Sequence, residues 1–184
     1  MDLSACLQMV QKTNDYKEFN LNIELISLKD KPEENLIEAK LISLILIKEF
    51  HAAKLYYKSI VKDEKLKAIF GHFDKLIECY VNKNYQNMPQ IIQMFKNPAY
   101  QAILSEWHTK NIYSHLQNSY LNLKEESFAK FGIVKPVEQI LKDLNAKKEG
   151  GYIILNQQEK VKANTKSPEE MIAHIVENIK HIEA

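Results

Sequence analysis

His174, Glu177 and His181 come closest to a metal centre in type and spacing, because steps of three and four place all three on one face of a helix. Zinc held there would activate water. Glu170 continues the same face, however, so the row reads as the solvated side of an amphipathic helix, and no metal is assigned to it. Nucleophilic chemistry has one candidate, Cys79. It sits beside Tyr80 in an apolar stripe, where a cysteine behaves as a small buried hydrophobe. The sequence contains no His-Glu-x-x-His, His-x-His, Cys-x-x-Cys or Gly-x-Ser-x-Gly, and its four glycines cannot build a phosphate-cradling loop. The expectation is a chain that is not an enzyme, with no catalytic residue, no cofactor and no small-molecule substrate.

With 184 residues, 45% of them hydrophobic, the chain can bury one good core or two small ones in contact. The longest apolar run, 41–47, contains Ser43 and is flanked by Lys40 and Lys48, which is far short of a bilayer span. No membrane is expected as a partner. Met1-Asp2-Leu3-Ser4 lacks the basic start of a secretory signal, and Cys6 and Cys79 make no disulfide framework, so cytoplasm and nucleus are the expected compartments.

The elements that would position any chemistry are mainly helical. Short helices are expected over 3–28, and Asp30 with Pro32 and Glu33 makes a helix start. The helix that follows, from Leu36 to beyond Ile45, is apolar nearly all round and should be surrounded by its neighbours. A partner helix carries Ala52, Ala53, Leu55, Tyr56, Tyr57 and Ile60, and the small residues Ala39, Ala52 and Ala53 allow close approach. Leu66, Ile69, Phe70, Phe73, Ile77 and Tyr80 mark the next helix, 82–87 reads as a polar turn, and 88–95 as another helix. Pro98 opens a last helical region whose stripe drifts at 108–111, where a kink is expected.

Over 120–161 the pattern changes. Residues 125–131 are helix-like and end on Gly132, then Pro136 opens a helix with Val137, Ile140, Leu141 and Leu144. Residues 145–148 and 152–155 flank Glu149-Gly150-Gly151, and a Gly-Gly pair reaches the positive φ angles of a tight hairpin. Helix, helix and two-stranded wing read as a winged helix. After a polar linker, Ser167-Pro168-Glu169-Glu170 caps a terminal helix whose Ile172, Ile175, Val176, Ile179 and Ile182 form one apolar stripe. The expected division is 1–118 helical repeat, 119–162 winged helix, and 163–184 linker with a C-terminal bundle helix.

A winged helix raises DNA binding, since its second helix would enter the major groove. Charge argues against it. Net charge is +1, all 25 basic residues are lysine, and Lys135 and Lys142 on that helix are offset by Glu138 and Asp143. Lys147, Lys148, Lys160, Lys162 and Lys166 leave the wing and linker only mildly basic. Trp107 and the tyrosines read as core rather than base-stacking platforms, and Met88 and Met94 read as packing.

The order of parts resembles the PCI-type domain family shared by subunits of the COP9 signalosome, the proteasome lid and translation initiation factor 3. The residues carrying the resemblance are Ala52-Ala53-Lys54-Leu55-Tyr56-Tyr57-Lys58-Ser59-Ile60, Phe128-Ala129-Lys130-Phe131-Gly132-Ile133 with Val137-Glu138-Gln139-Ile140, and Asn97-Pro98-Ala99-Tyr100-Gln101-Ala102-Ile103-Leu104. The Ala-x-x-Tyr-Tyr-Lys-x-Ile run and the short chain look most like the signalosome member, whereas 152–160 with Gln157-Gln158 is also similar to the proteasome lid member. The resemblance implies a non-catalytic scaffold subunit of a complex that removes Nedd8 from cullin-RING ubiquitin ligases. Its interface would lie at the wing edge, assigned to Ile154, and at the terminal stripe of Ile172, Ile175, Val176, Ile179 and Ile182. The partners implied are other PCI-type subunits.

Overall fold

Asp2 and Asp15 each accept a backbone N–H from the first turn ahead of them, from Ala5 at 2.8 Å and Glu18 at 2.9 Å. These caps satisfy donors that a helix start leaves unpaired, and they begin α1 (Leu3–Thr13) and α2 (Tyr16–Ser27). The computed structural model describes residues 2–28, 33–62 and 64–155. The terminal helix and its isoleucine stripe, the linker lysines Lys160, Lys162 and Lys166, and the cap residues Asp30 and Pro32 lie outside the described residues.

Helix α3 (Glu34–Leu46) is buried at every position from 36 to 46 except Glu38 and Lys40. Neighbours surround it, as its all-round apolar sequence requires. Its one buried hydroxyl, Ser43, donates to Asn20 Oδ1 or to the Lys40 carbonyl, both at 2.9 Å. The chain continues through α4 (Phe50–Ile60), α5 (Glu64–Val81), a single 3-10 turn (Tyr85–Asn87), α6 (Met88–Ile92) and α7 (Pro98–Ser119). Each helix from α1 to α7 packs on the next, and α7 returns to touch α1 and α3. Ala39 and Ala53 are fully buried, which permits the close approach of α3 and α4. Trp107 on α7 donates its indole N–H to the Leu46 carbonyl at 2.8 Å, satisfying an acceptor that the end of α3 leaves open.

Helix α7 serves two cores. Tyr100, Ile103, Leu104 and Trp107 join the large cluster of the first six helices, whereas Ile112, Tyr113 and Leu116 join a second cluster. The helix is unbroken through 108–111, and the drift of its stripe marks a change of partner, with the apolar face turning from one core to the other. The chain boundary expected at 118/119 coincides with the end of α7, but the boundary between the cores lies about two turns earlier.

Beyond α7 come β1 (Asn122–Lys124), α8 (Ser127–Lys130), α9 (Val137–Leu144), β2 (Lys147–Glu149) and β3 (Tyr152–Ile154). The strands form one antiparallel sheet in the order β1-β3-β2. Gly150 and Gly151, at φ 56° and 82°, turn β2 into β3 as their pairing suggested. A two-stranded wing was expected and the sheet has three strands. The helix expected over 88–95 ends at Ile92, and Met94 is 49% exposed rather than packed. No described helix is long and apolar enough to cross a membrane.

Candidate interaction surface

The short sheet exposes two edges whose chemistry can be read from the register. Leu123, Ile153 and Lys148 lie abreast across β1, β3 and β2. Leu155 N–H donates to Leu121 C=O at 2.9 Å and Glu125 N–H to Gly151 C=O at 3.3 Å, so the odd residues of β3 bond toward β1. Ile154 must then direct its own N–H and C=O toward Lys147 of β2. The same alternation leaves the N–H and C=O of Lys148 pointing outward from β2, a position without a strand partner among the described residues.

This corrects the edge assigned to Ile154. Ile154 is half-buried on the central strand, flanked on both sides, because β1 covers the side of β3 that a two-stranded wing would leave open. The edge residue that sequence reasoning missed is Lys148. Its signal was present in the two-residue Gly150-Gly151 turn, which makes Glu149 and Tyr152 a bonded pair and turns the next residue back outward. Lys148 also shares a face with the buried Leu123 and Ile153, and its ammonium pairs with Glu125. A three-residue strand with a lysine on the inner face resists indiscriminate pairing while leaving room for a matched partner.

Behind the sheet, α9 buries Ile140 and Leu144 and sets its charges against one another. Asp143 accepts from Lys135 at 2.8 Å, from Gln139 at 2.6 Å and from the Tyr113 hydroxyl at 3.4 Å. The Lys135 hydrogen bond holds its carboxyl below the usual range. Lys135 also lies 5.7 Å from the centre of the Tyr113 ring. Lys135, just before the helix, is thus held by Asp143, and Lys142 shares the exposed side of α9 with Glu138, so little net positive charge is offered to phosphates.

A buried joint ties the sheet region to the helices before it. His108 Nδ1 lies 2.6 Å from the Tyr80 hydroxyl and its Nε2 lies 2.9 Å from the Phe131 carbonyl. A carbonyl can only accept, so Nε2 carries the proton and Nδ1 accepts from tyrosine. Burial pushes the imidazole pKa down, keeping it neutral in this role. Gly132 follows at φ 68°, where a Cβ would stand 2.2 Å from the Tyr85 carbonyl oxygen. Only glycine fits there.

Among the described residues no group of three or more His, Cys, Asp or Glu is placed to hold a metal, and His174, Glu177 and His181 lie outside them. Cys79 is buried, and burial raises its thiol pKa. No family model matches the chain, and no curated protein matches it.

Proposed function

We propose that residues 119–162 form a winged helix carried on TPR-like helical hairpins, a PCI-type domain. On this reading the chain is a non-catalytic scaffold subunit of the COP9 signalosome, supporting the complex that removes Nedd8 from cullin-RING ubiquitin ligases in cytoplasm and nucleus. The observation that carries it is the order helix, strand, helix, helix, strand, strand with sheet order β1-β3-β2, continuous with the stacked helices through α7 and packed on them at Tyr85. The resemblance of 52–60, 97–104 and 128–140 to that family adds the choice of complex. The proteasome lid and translation initiation factor 3 are the alternative assemblies. A winged-helix nucleic-acid binder is the remaining alternative, and the Asp143 network disfavours it.

Partner subunits would pair with the outer edge of β2, and Ile172, Ile175, Val176, Ile179 and Ile182 would enter a bundle with their terminal helices. Lys148→Pro removes the outward N–H without cutting the β2–β3 ladder, while Lys148→Ala keeps it. Co-purification of identified PCI-type subunits should fall about tenfold or more with proline and stay near wild type with alanine. Equal recovery with both variants would contradict edge pairing.

A further inference from the structure

Helix α2 turns Phe19 and Ile23 into the core and packs on α1 and α3, so the opposite side of the same helix should be polar. It is not. Leu21, Leu25 and Leu28 follow one another at steps of four and three, which sets them on one line, and they are 55%, 49% and 83% exposed. Single exposed leucines are ordinary, but a row of three along one helix face is an apolar seam without a cover among the described residues. Its rim carries no surplus charge. Lys17 is followed by Glu18, and Glu24 accepts from Lys40 at 2.7 Å and from Asn20 at 3.3 Å.

We infer that residues 167–184 of the same chain cover this seam in the free protein, laying Ile172, Ile175, Ile179 and Ile182 along Leu21, Leu25 and Leu28. The isoleucines recur at steps of three, four and three, the same seam-forming rhythm that the leucines show, and the segment that carries them lies outside the described residues. The tether is long enough. Residues 156–166 leave the sheet at Leu155 and span up to roughly 36 Å when extended, whereas a domain of this size has a radius of gyration of roughly 15 Å. Such a tether also supplies an effective concentration on the order of millimolar, so that a contact too small to join separate molecules holds within one. This decides against a second copy. Three leucines bury far less than the roughly 800 Å2 per partner of a stable interface. A lipid surface fits less well, because an interfacial helix draws on a lysine-rich polar face and the rim of this seam is neutral. The docking concerns the free chain, and uptake of the isoleucines into a partner bundle would uncover the leucines.

The test uses the full chain with Asn178→Cys, just off the isoleucine stripe, carrying a nitroxide, while Cys6 and Cys79 stay unlabelled because both are buried. Leucine methyl signals are followed by NMR. Those of Leu21, Leu25 and Leu28 should broaden more than that of Leu55, which is 57% exposed on α4. Adding Ile175→Asp with Ile179→Asp should cut this broadening about tenfold or more, and Leu25→Asp, at an exposed position, should do the same from the other side of the contact. Broadening no greater than at Leu55, or broadening that survives Leu25→Asp, would overturn the inference. So would broadening in a mixture of isotope-free nitroxide chains with isotope-labelled chains lacking the nitroxide, because that places a second copy on the seam. Either result leaves the scaffold reading to its own co-purification test.

Discussion

Helix α3 and strand β3 are both central elements, each flanked on two sides, yet they are held in different ways. Helix α3 is buried along 36–46 with only Glu38 and Lys40 partly exposed, so its own sequence supplies most of the contacts that fix it. Strand β3 has three residues, of which Ile153 alone is fully buried. Its place is set by β1, by β2 and by the second core, to which α7 contributes Ile112, Tyr113 and Leu116. The helical part can therefore hold itself together, whereas the sheet region borrows its support through α7.

The largest test of this contrast is a pair of truncations. Leu41→Ala should cost about 4 kcal/mol and lower the unfolding midpoint of the whole chain, because the surrounding helices cannot collapse on the cavity. Ile153→Ala should cost about half as much in urea unfolding, since a three-residue strand relaxes more easily. Equal costs would break the contrast.

Gly132→Ala should come next, at about 3 kcal/mol, combining a left-handed backbone with a clash against the Tyr85 carbonyl that no rotamer relieves. Hydrogen exchange should show protection lost first in 122–155 and retained in α3. Uniform loss would mean that the two regions unfold as one.

Acid should act more mildly. Burial lowers the His72 pKa to about 4 from an ordinary 6.5, so the unfolded chain takes up a proton that the folded chain refuses. Stability should therefore fall as pH drops from about 6.5 toward 4, and level off below. His108, depressed for the same reason, adds in the same direction at the joint. The carboxyls of Glu24, Glu106 and Asp143 are lowered and contribute losses only below their ordinary range. His72→Gln should flatten the pH 6.5–4 limb by on the order of 1 kcal/mol in thermal melts, discounted for partial exposure. The smallest effect belongs to Asp143→Asn, about 1 kcal/mol or less in the same melts, because the pair with Lys135 is partly open to water.

Much of this arrangement was legible from particular residues. The nearly all-round apolar run announced a surrounded helix, Pro98 marked the start of α7, and Gly150-Gly151 marked the hairpin. Strand β1 was not legible, because Asn122-Leu123-Lys124 has one apolar residue and no period, and its pairing is decided by β3 far along the chain. Missing it misplaced the edge onto Ile154. The drift at 108–111 was visible, but a helix that changes partner gives the same pattern as a kink.

The most direct test of the scaffold reading is the native mass of the assembly recovered with the tagged full-length chain from its own cells, with its members identified by mass spectrometry. The reading predicts a large multisubunit particle containing other PCI-type subunits and the deneddylating metalloprotease. Recovery as a free monomer, or in a complex with nucleic acid and no PCI-type subunit, would contradict it.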